Sequence, residues 1–404
     1  MNKDYIIYTG NFDFSEKIAA GKRVLGISYA LRELGYKVIF IGSQTNPAKN
    51  QKMIETKKIV DGFESYMMPY PITKKDWMSY KKQYSNFTNL ITEFGIEDKI
   101  HSIILYGSPC ISLWSGKIIK WSKKRKINVV SDVVDWINGS SGSILFRIVK
   151  WLDTNYAKAY LNTKTDGVIA ISKFLADYYK RKGCNTIQVP PITNAKNYTF
   201  NISVNETSCV TKFIYVGMPF GKLKRKSKKE NFKDRLDIAI ESFAKLINKS
   251  KNFEFNIYGV SKQEYLTVLP EHGLLLENLK DNVFFHGKIT NAVVTEKISE
   301  ADFSILIRDI NRVTTAGFPT KFSESISCGT PFITNKTSNI EDYLKDGENG
   351  FWIDTDNKII CDKLFYITSL PRDVIDKMKM NCSESLLFDY HKYKDVLTKV
   401  ITDV

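Results

Sequence analysis

At 404 residues, 43% hydrophobic and 25% charged, the chain has the size and composition of two cored globular domains, with no low-complexity tract. Its longest apolar runs, such as Ile103–Tyr106 and Phe303–Ile307, are far too short to cross a bilayer, and "MNKDYIIYTGNFDF" lacks the order of a signal peptide. The net charge of +15 admits nucleic acid, anionic lipid or a phosphorylated small molecule as partner and selects none of them.

In chain order, "YIIYTG" predicts a first strand and "VLGISYALRELG" a helix, with Val24, Ile27, Leu31 and Leu34 on one face and Gly35 at its stop. "YKVIFIG", "HSIILYGSP", "INVVSDVVDW" and "DGVIAIS" follow as buried-type strands ending in small or polar residues. Between them lie the basic run "KWSKKRK" (Lys120–Lys126) and "SILFRIVKWL" (Ser143–Leu152). The latter mixes cations with Phe, Trp and Leu, and reads first as a buried domain helix and second as a membrane-surface segment. "QVPPITNAKNYTFNISVNETSCVT" is polar and Pro-containing, as a domain connection would be. A second alternating series then opens: "KFIYVG", the basic "GKLKRKSKKENFK" (Gly221–Lys233), the helix "RLDIAIESFAKLI", and the strands "FEFNIYG", "NVFFHG", "DFSILIRD" and "TPFITN". "SESLLFDYHKYKDVLTKVI" reads as one terminal helix.

The expectation is α/β: two Rossmann-like, doubly wound parallel-sheet domains facing a cleft, with ligands beyond the carboxyl ends of the strands. The boundaries are 1–192, 193–383 and a C-terminal helix over 384–404 that returns to the N-terminal domain. Six widely spaced cysteines, with no Cys-x-x-Cys pair, argue for reduced thiols and a cytoplasmic protein.

No G-x-G-x-x-G follows the first strand, and "GMPFGKL" is one residue short of a Walker A spacing, so a simple dehydrogenase and a P-loop nucleotidase are set aside. The four histidines are scattered, His286 reads as structural, and no metal site is expected. "DFSILIRDINRVTTAGFPTKFSESISCGTPFITN" carries more. A buried strand ends in Arg308, and Pro319 suits a first helical position. The amides of Thr320 and Lys321 then open a helix, an anion site to which Lys321 and Arg308 add full charges. Glu324, one turn on, is an acceptor for the two hydroxyls of a ribose. On spacing alone, Lys321 and Glu324 more often form an exposed i,i+3 pair worth a few tenths of a kcal/mol.

From "DFSILIRD" to "DGENGFW" the chain resembles the donor-binding half of retaining glycosyltransferases of the GT-B fold, in the large family numbered four. The residues that carry the likeness are Glu324, Ser327, Cys328, Gly329, Thr330, Pro331 and "FIT", then Asp346, Gly347 and Gly350. "YVG…KDRLDIAIESFAKL" resembles the glycine turn, lysine and helix that open such a domain. "GFPTKF", with Phe318 and Pro319, is like bacterial enzymes of capsule, lipopolysaccharide or exopolysaccharide assembly. Carried over, the resemblance implies that Glu324 holds the nucleotide ribose and that Lys233, or Lys226, holds phosphate. It places Gly21 beneath the donor phosphates, Gly217 in the glycine turn of the donor site and Asp135 in the strand-end region that faces the reacting sugar. It gives Asp135 and Lys233 catalytic roles; Arg308, at the strand end, is expected to take the catalytic part of the arginine that Met218 replaces. The chain departs from the family pattern at Ala316, where the first glutamate of E-x7-E falls, and at Met218, where an arginine is usual.

What the resemblance implies is transfer of a sugar, with retention and without metal or other cofactor. The donor is a nucleoside-diphosphate sugar and the acceptor a saccharide or lipid-linked saccharide. The protein would then work in the cytoplasm, peripherally on the inner face of the membrane. A nucleotide-sugar epimerase of the same fold and a noncatalytic nucleotide-sugar-binding protein are the alternatives. Nucleic acid ranks last for want of a recognisable binding module.

Overall fold

The computed structural model describes residues 3–14, 19–44, 53–71, 73, 76, 83–107, 112–136, 144–198, 210–221, 223 and 232–402. Two compact units divide the chain. The first comprises Met1–Thr193, Thr315–Phe318 and Tyr390–Val404, and the second Asn194–Thr314 and Pro319–Asp389.

Among the described residues, the first unit is built on a sheet of order β3-β4-β2-β1-β5-β6-β7-β8. The strands are β1 (Tyr5–Gly10), β2 (Lys37–Gln44), β3 (Lys58–Val60), β4 (Phe63–Pro69), β5 (Ile100–Tyr106), β6 (Asn128–Val133), β7 (Gly167–Ala170) and β8 (Thr186–Gln188). All neighbours run parallel except the β3–β4 edge pair. Helices α1 (Ala19–Glu33), α2 (Gln83–Phe94), α3 (Ser112–Lys124), α4 (Ile144–Ala159) and α5 (Lys173–Lys180) lie between them. The strand runs are apolar at successive positions because helices cover both faces. Ile103, Ile104, Val129 and Val130 are all fully buried. The sheet also encloses charge. The Arg23 guanidinium donates to Asp132 from both Nε and Nη2, the closest contact being 2.6 Å, and Nη1 donates to the Val189 carbonyl at 3.0 Å. Tyr8 donates to the same carboxylate at 2.5 Å, so α1, β1 and β6 share one satisfied buried pair.

The expected terminal helix is broken. A helix does run to Ser385, but Leu386 then adopts φ 47°, ψ 31°, the left-handed turn that ends helices. A short 3₁₀ turn (Tyr390–Tyr393) and a separate helix, Lys394–Ile401, follow. That last helix buries Leu397, Val400 and Ile401 in the first unit, and a Cβ on Gly167 would lie 2.8 Å from the Val400 Cβ. "SILFRIVKWL" also departs from its first expectation. In the N-terminal half of α4, Ile144, Ile148, Val149, Trp151 and Leu152 are exposed.

The second unit holds a parallel sheet of order β11-β10-β9-β12-β13-β14. These strands are β9 (Thr211–Val216), β10 (Phe253–Tyr258), β11 (Val283–Gly287), β12 (Phe303–Leu306), β13 (Phe332–Thr334) and β14 (Gly350–Trp352). Its helices among the described residues are α6 (Leu236–Leu246), α7 (Lys262–Val268), α8 (Gly273–Asn278), α9 (Asn291–Glu300), α10 (Arg312–Ala316, whose last two residues group with the first unit), α11 (Thr320–Ser327), α12 (Asn357–Thr368) and α13 (Arg372–Ser385). A core of Phe213, Phe243, Phe253, Phe255 and Phe303 packs between sheet and helices, with Phe243 stacked on Phe255 at 4.5 Å. Chain order reverses at β9, whose neighbours are β10 on one side and β12 on the other. That makes the carboxyl ends of β9 and β12 the topological switch point of this sheet, where open α/β sheets take their ligands.

Candidate functional site

Four segments converge at that switch point in the second unit. Beyond β9, Gly217 takes φ +133°, a conformation that favours glycine, and a Cβ there would meet the Lys321 Nζ at 2.6 Å. Beyond β12, the Arg308 backbone is bracketed by the Asn335 side chain. Oδ1 accepts from Arg308 N at 3.0 Å, and Nδ2 donates to Arg308 O at 2.8 Å. The stretch before α6 is tied to both strand ends. Lys233 N donates to the Pro219 carbonyl at 2.7 Å and Arg235 N to the Ile307 carbonyl at 2.7 Å. This pinning delivers Asp234 to the site. The fourth segment is α11, which buries Phe322, Ser323, Ser325 and Ile326 and leaves Lys321 and Glu324, three apart, on its other side.

Asp234 is the centre of the cluster. It is fully buried, accepts from Arg308 Nε at 2.8 Å and from the Tyr215 hydroxyl at 2.8 Å, and forms an ion pair with the Lys321 ammonium. Lys321 Nζ also lies 3.1 Å from the Tyr215 hydroxyl and 4.2 Å from its ring centroid. Burial by itself would raise the Asp234 carboxyl; Lys321 and Arg308 outweigh it and hold the group well below the usual carboxylate range. Burial, with Arg308 opposing the help of Asp234, brings the Lys321 ammonium down to about 8. Tyr215 is pushed up by burial and by the facing carboxylate, so it stays a neutral donor. Around this core, Arg235 binds both oxygens of Asp237, at 3.0 and 2.9 Å, and Asp309 at 2.7 Å.

Gly217, Arg308 and Lys321 meet around Asp234, and Lys233 stands next to it with an exposed side chain. Lys321 is a member of this buried cluster, with 18% of its side chain exposed, and so is not half of a solvated surface pair. Pro319 is the N-cap of α11, at φ −73° and ψ 108°, and not its first helical residue as expected; Thr320 is. An extended ψ keeps it outside the helical turn. Glu324 is half-buried one turn along. Lys226 lies outside the described residues. Phe318 is buried and groups with the first unit. So does Ala316, which is fully buried and whose carbonyl accepts from Ser172 Oγ at 2.6 Å. Gly21 is buried within α1, where a Cβ would come within 2.4 Å of the Asp13 carbonyl, so close packing already calls for glycine there. Asp135 is exposed beyond β6 in the first unit, at a cavity of about 60 Å³ lined also by Tyr106, Thr154 and Lys158. The sequence reading missed Asp234, Tyr215 and Asn335. "NFKDRLD" carries no signal for a central carboxylate beyond an aspartate shortly before a helix.

The site cluster coincides with the part of the chain that has a sequence family. Residues 227–367 match the family described as Glycosyl transferases group 1. No curated protein matches the chain in sequence. Solved structures match it along its length. Sucrose-phosphate synthase from Thermosynechococcus elongatus aligns at TM-score 0.66 and 16% identity, over 99% of this chain and 98% of that one. HepE of Anabaena, in complex with UDP and glucose, aligns at 0.63 and 12%, over 99% and 100%. The apo form of the lipopolysaccharide outer core galactosyltransferase WaaB aligns at 0.57 and 15%, over 98% and 99%. At these identities the structural likeness establishes the fold. Residues 227–367 are thus a glycosyl transferases group 1 domain, and the two parallel-sheet units of the chain have the GT-B glycosyltransferase fold.

Proposed function

We propose that this glycosyltransferase moves a sugar from a nucleoside-diphosphate donor to a saccharide or lipid-linked saccharide acceptor, with retention and without a metal. The observation that carries the donor site is the meeting of Lys321 and Arg308 on Asp234 at the switch point, with the α11 amides alongside. Two cations and one carboxylate leave net positive charge, and Lys233 adds to it. The Thr320 and Lys321 amides open a helix and have no carbonyl four residues earlier within it. A diphosphate matches that field. As the anomeric C–O bond breaks, negative charge grows on the bridging oxygen and the β-phosphate. Lys321, Arg308 and the amides then bind the leaving group more strongly than the ground state, each donor contributing a few kcal/mol. Ionised Asp234 positions both cations before the substrate arrives. Glu324 takes the ribose hydroxyls. HepE was solved with UDP and WaaB acts in lipopolysaccharide outer core synthesis, which makes UDP the nucleotide to try first and surface polysaccharide the product class.

Calorimetric titration of UDP, GDP, ADP, CDP and dTDP without metal tests the reading on wild type, Glu324→Ala and Lys321→Ala. One nucleotide binds selectively, and each substitution weakens it by about tenfold or more, the loss of a charge-assisted hydrogen bond. Folded protein that binds none of the five overturns the donor site. Binding without sugar transfer to any saccharide acceptor would favour the noncatalytic reading, for which Ala316 speaks.

A further inference from the structure

Helix α4 has two different halves. Toward its C-terminus, Thr154 and Lys158 are buried, and the helix walls the small cavity at Asp135. Toward its N-terminus no described side chain is buried. Ile144 is 77% exposed, Ile148 51%, Val149 49%, Trp151 57% and Leu152 54%. Ile144, Ile148, Leu152 and Tyr156 recur every four residues, so they form one ridge along the helix, flanked by Val149 and Trp151. Tyr160, just beyond the helix, continues it by stacking on Tyr156 at 5.4 Å, and the Lys164 ammonium sits 5.1 Å from the Tyr160 ring centroid. The ridge runs for roughly 22 Å. Single exposed apolar residues need no explanation, but a contiguous stripe of this size marks a docking surface.

Charge and residue type choose the occupant. Outside the buried Lys158, the described part of α4 carries Arg147 and Lys150 against one carboxylate, Asp153. The neighbouring helix α3, packed against α4, exposes Lys117, Lys120, Lys123 and Lys124. Aliphatic residues with Trp and Tyr, rimmed by Lys and Arg, are the composition of segments that lie in the headgroup layer. A second copy of the chain would bring the same excess of positive charge, +15 in all, and meet repulsion. An anionic bilayer meets attraction, at about 1 kcal/mol per cation near the surface. Among the described residues no helix is long and apolar enough to cross a membrane, so contact through these residues is interfacial. Position also fits. A helix that follows β6 begins at the carboxyl edge of the sheet, the edge at which Asp135 stands.

We propose that the exposed ridge of α4, together with the exposed lysines of the neighbouring helix α3, docks the first unit on an anionic bilayer surface and holds the Asp135 edge at headgroup height. The docking stands independently of the nucleotide site; that it presents a lipid-linked acceptor rests on the transferase reading. The test is co-sedimentation of the full chain with vesicles of phosphatidylcholine alone and of mixed phosphatidylcholine and phosphatidylglycerol. Wild type binds the mixed vesicles, is released by salt, and binds phosphatidylcholine far less. The triple variant I148S/W151S/L152S loses at least about tenfold in partitioning, with an unchanged thermal transition and unchanged nucleotide titration. Three outcomes overturn the proposal. Wild type stays in solution with anionic vesicles, or the triple variant binds them as well as wild type does. Alternatively, the ridge proves to join two copies, the variant converting a dimer to a monomer without lipid. Because nucleotide titration runs on the same preparations, failure of docking and failure of the donor site are read separately.

Discussion

Asp234 has no contact with solvent, so its charge state is set by the groups around it. With Arg308 at 2.8 Å and Lys321 beside it, the carboxylate form wins, while burial, helped by the Arg308 charge and opposed by Asp234, costs Lys321 some of its basicity. The two shifts act in opposite directions. The depressed carboxyl contributes stability that is present above its unfolded value, near 4, and is lost as pH falls below it. The depressed ammonium is different: between about 8 and 10.5 the unfolded chain binds more protons at this residue, so its contribution to stability rises with pH across that window. Ligand binding runs the other way, because a diphosphate needs the ammonium. Nucleotide affinity therefore falls as pH climbs through about 8, no more steeply than about tenfold per unit, and binding at pH 8 to 9 takes up a proton. Titration in buffers of different ionisation enthalpy measures that uptake; in Lys321→Arg the pH dependence should vanish. A flat wild-type profile would mean that Lys321 does not touch the ligand. Lys321 and Glu324 were open to inspection in the sequence because helical spacing alone puts them on one side of α11. Asp234 was not. Its partners are 74 and 87 positions away, and only the parallel sheet brings β9, β12 and α11 to one edge.

At the scale of elements, legibility followed burial. The strands read correctly, such as β5 and β12, are runs of Ile, Leu and Phe covered on both faces. Those not foreseen include the three-residue strands β8 and β14 and the antiparallel edge strand β3, where two or three side chains give no period to read. The terminal segment failed for a different reason. Its apolar residues keep a helical spacing across Leu386, but the backbone turns left-handed there and Phe388 is buried beyond the turn. A leucine in that conformation carries strain of about 1 kcal/mol, and Leu386 is 46% exposed, so it has less packing to lose. Leu386→Gly should raise the denaturation midpoint by the equivalent of roughly 0.5–1 kcal/mol. A lowered midpoint would show that leucine packing outweighs the backbone cost. The exposure of α4 was equally hidden, since a hydrophobic helix reads the same whether its apolar face meets a sheet or meets solvent.

For the molecule as a whole, the alternation of strands and helices was enough to fix two doubly wound units, and the GT-B likeness agrees. What alternation could not convey is how much the first unit depends on the far end of the chain. The helix Lys394–Ile401, which we number α14, places Leu397, Val400 and Ile401 out of solvent, and its Lys399 carbonyl accepts from Asn185 Nδ2 at 2.9 Å. Each such side chain is worth about 1.5–3 kcal/mol of burial. Truncation after Asp389 should lower the melting transition of the first unit by roughly 10 °C or more. Intrinsic fluorescence detects it, because every tryptophan except Trp352 precedes residue 194. Nucleotide binding by the second unit is the control, and an unmoved transition would mean that α14 is dispensable.

The two units are also joined by an unusual neck. Apart from Thr315–Phe318, the chain leaves the first unit at Thr193 and re-enters it at Tyr390, whose amide donates to the Thr193 carbonyl at 2.9 Å; just inside the second unit, Ala195 N donates to Asp389 Oδ2 at 2.9 Å. In effect one domain is spliced into another. During synthesis, the first unit is made almost entirely before the second yet lacks its closing helix until the second has been completed. At about 5–20 residues per second, it stays open on the ribosome for roughly 10–40 s, while the spliced domain, needing nothing further downstream, folds ahead of it.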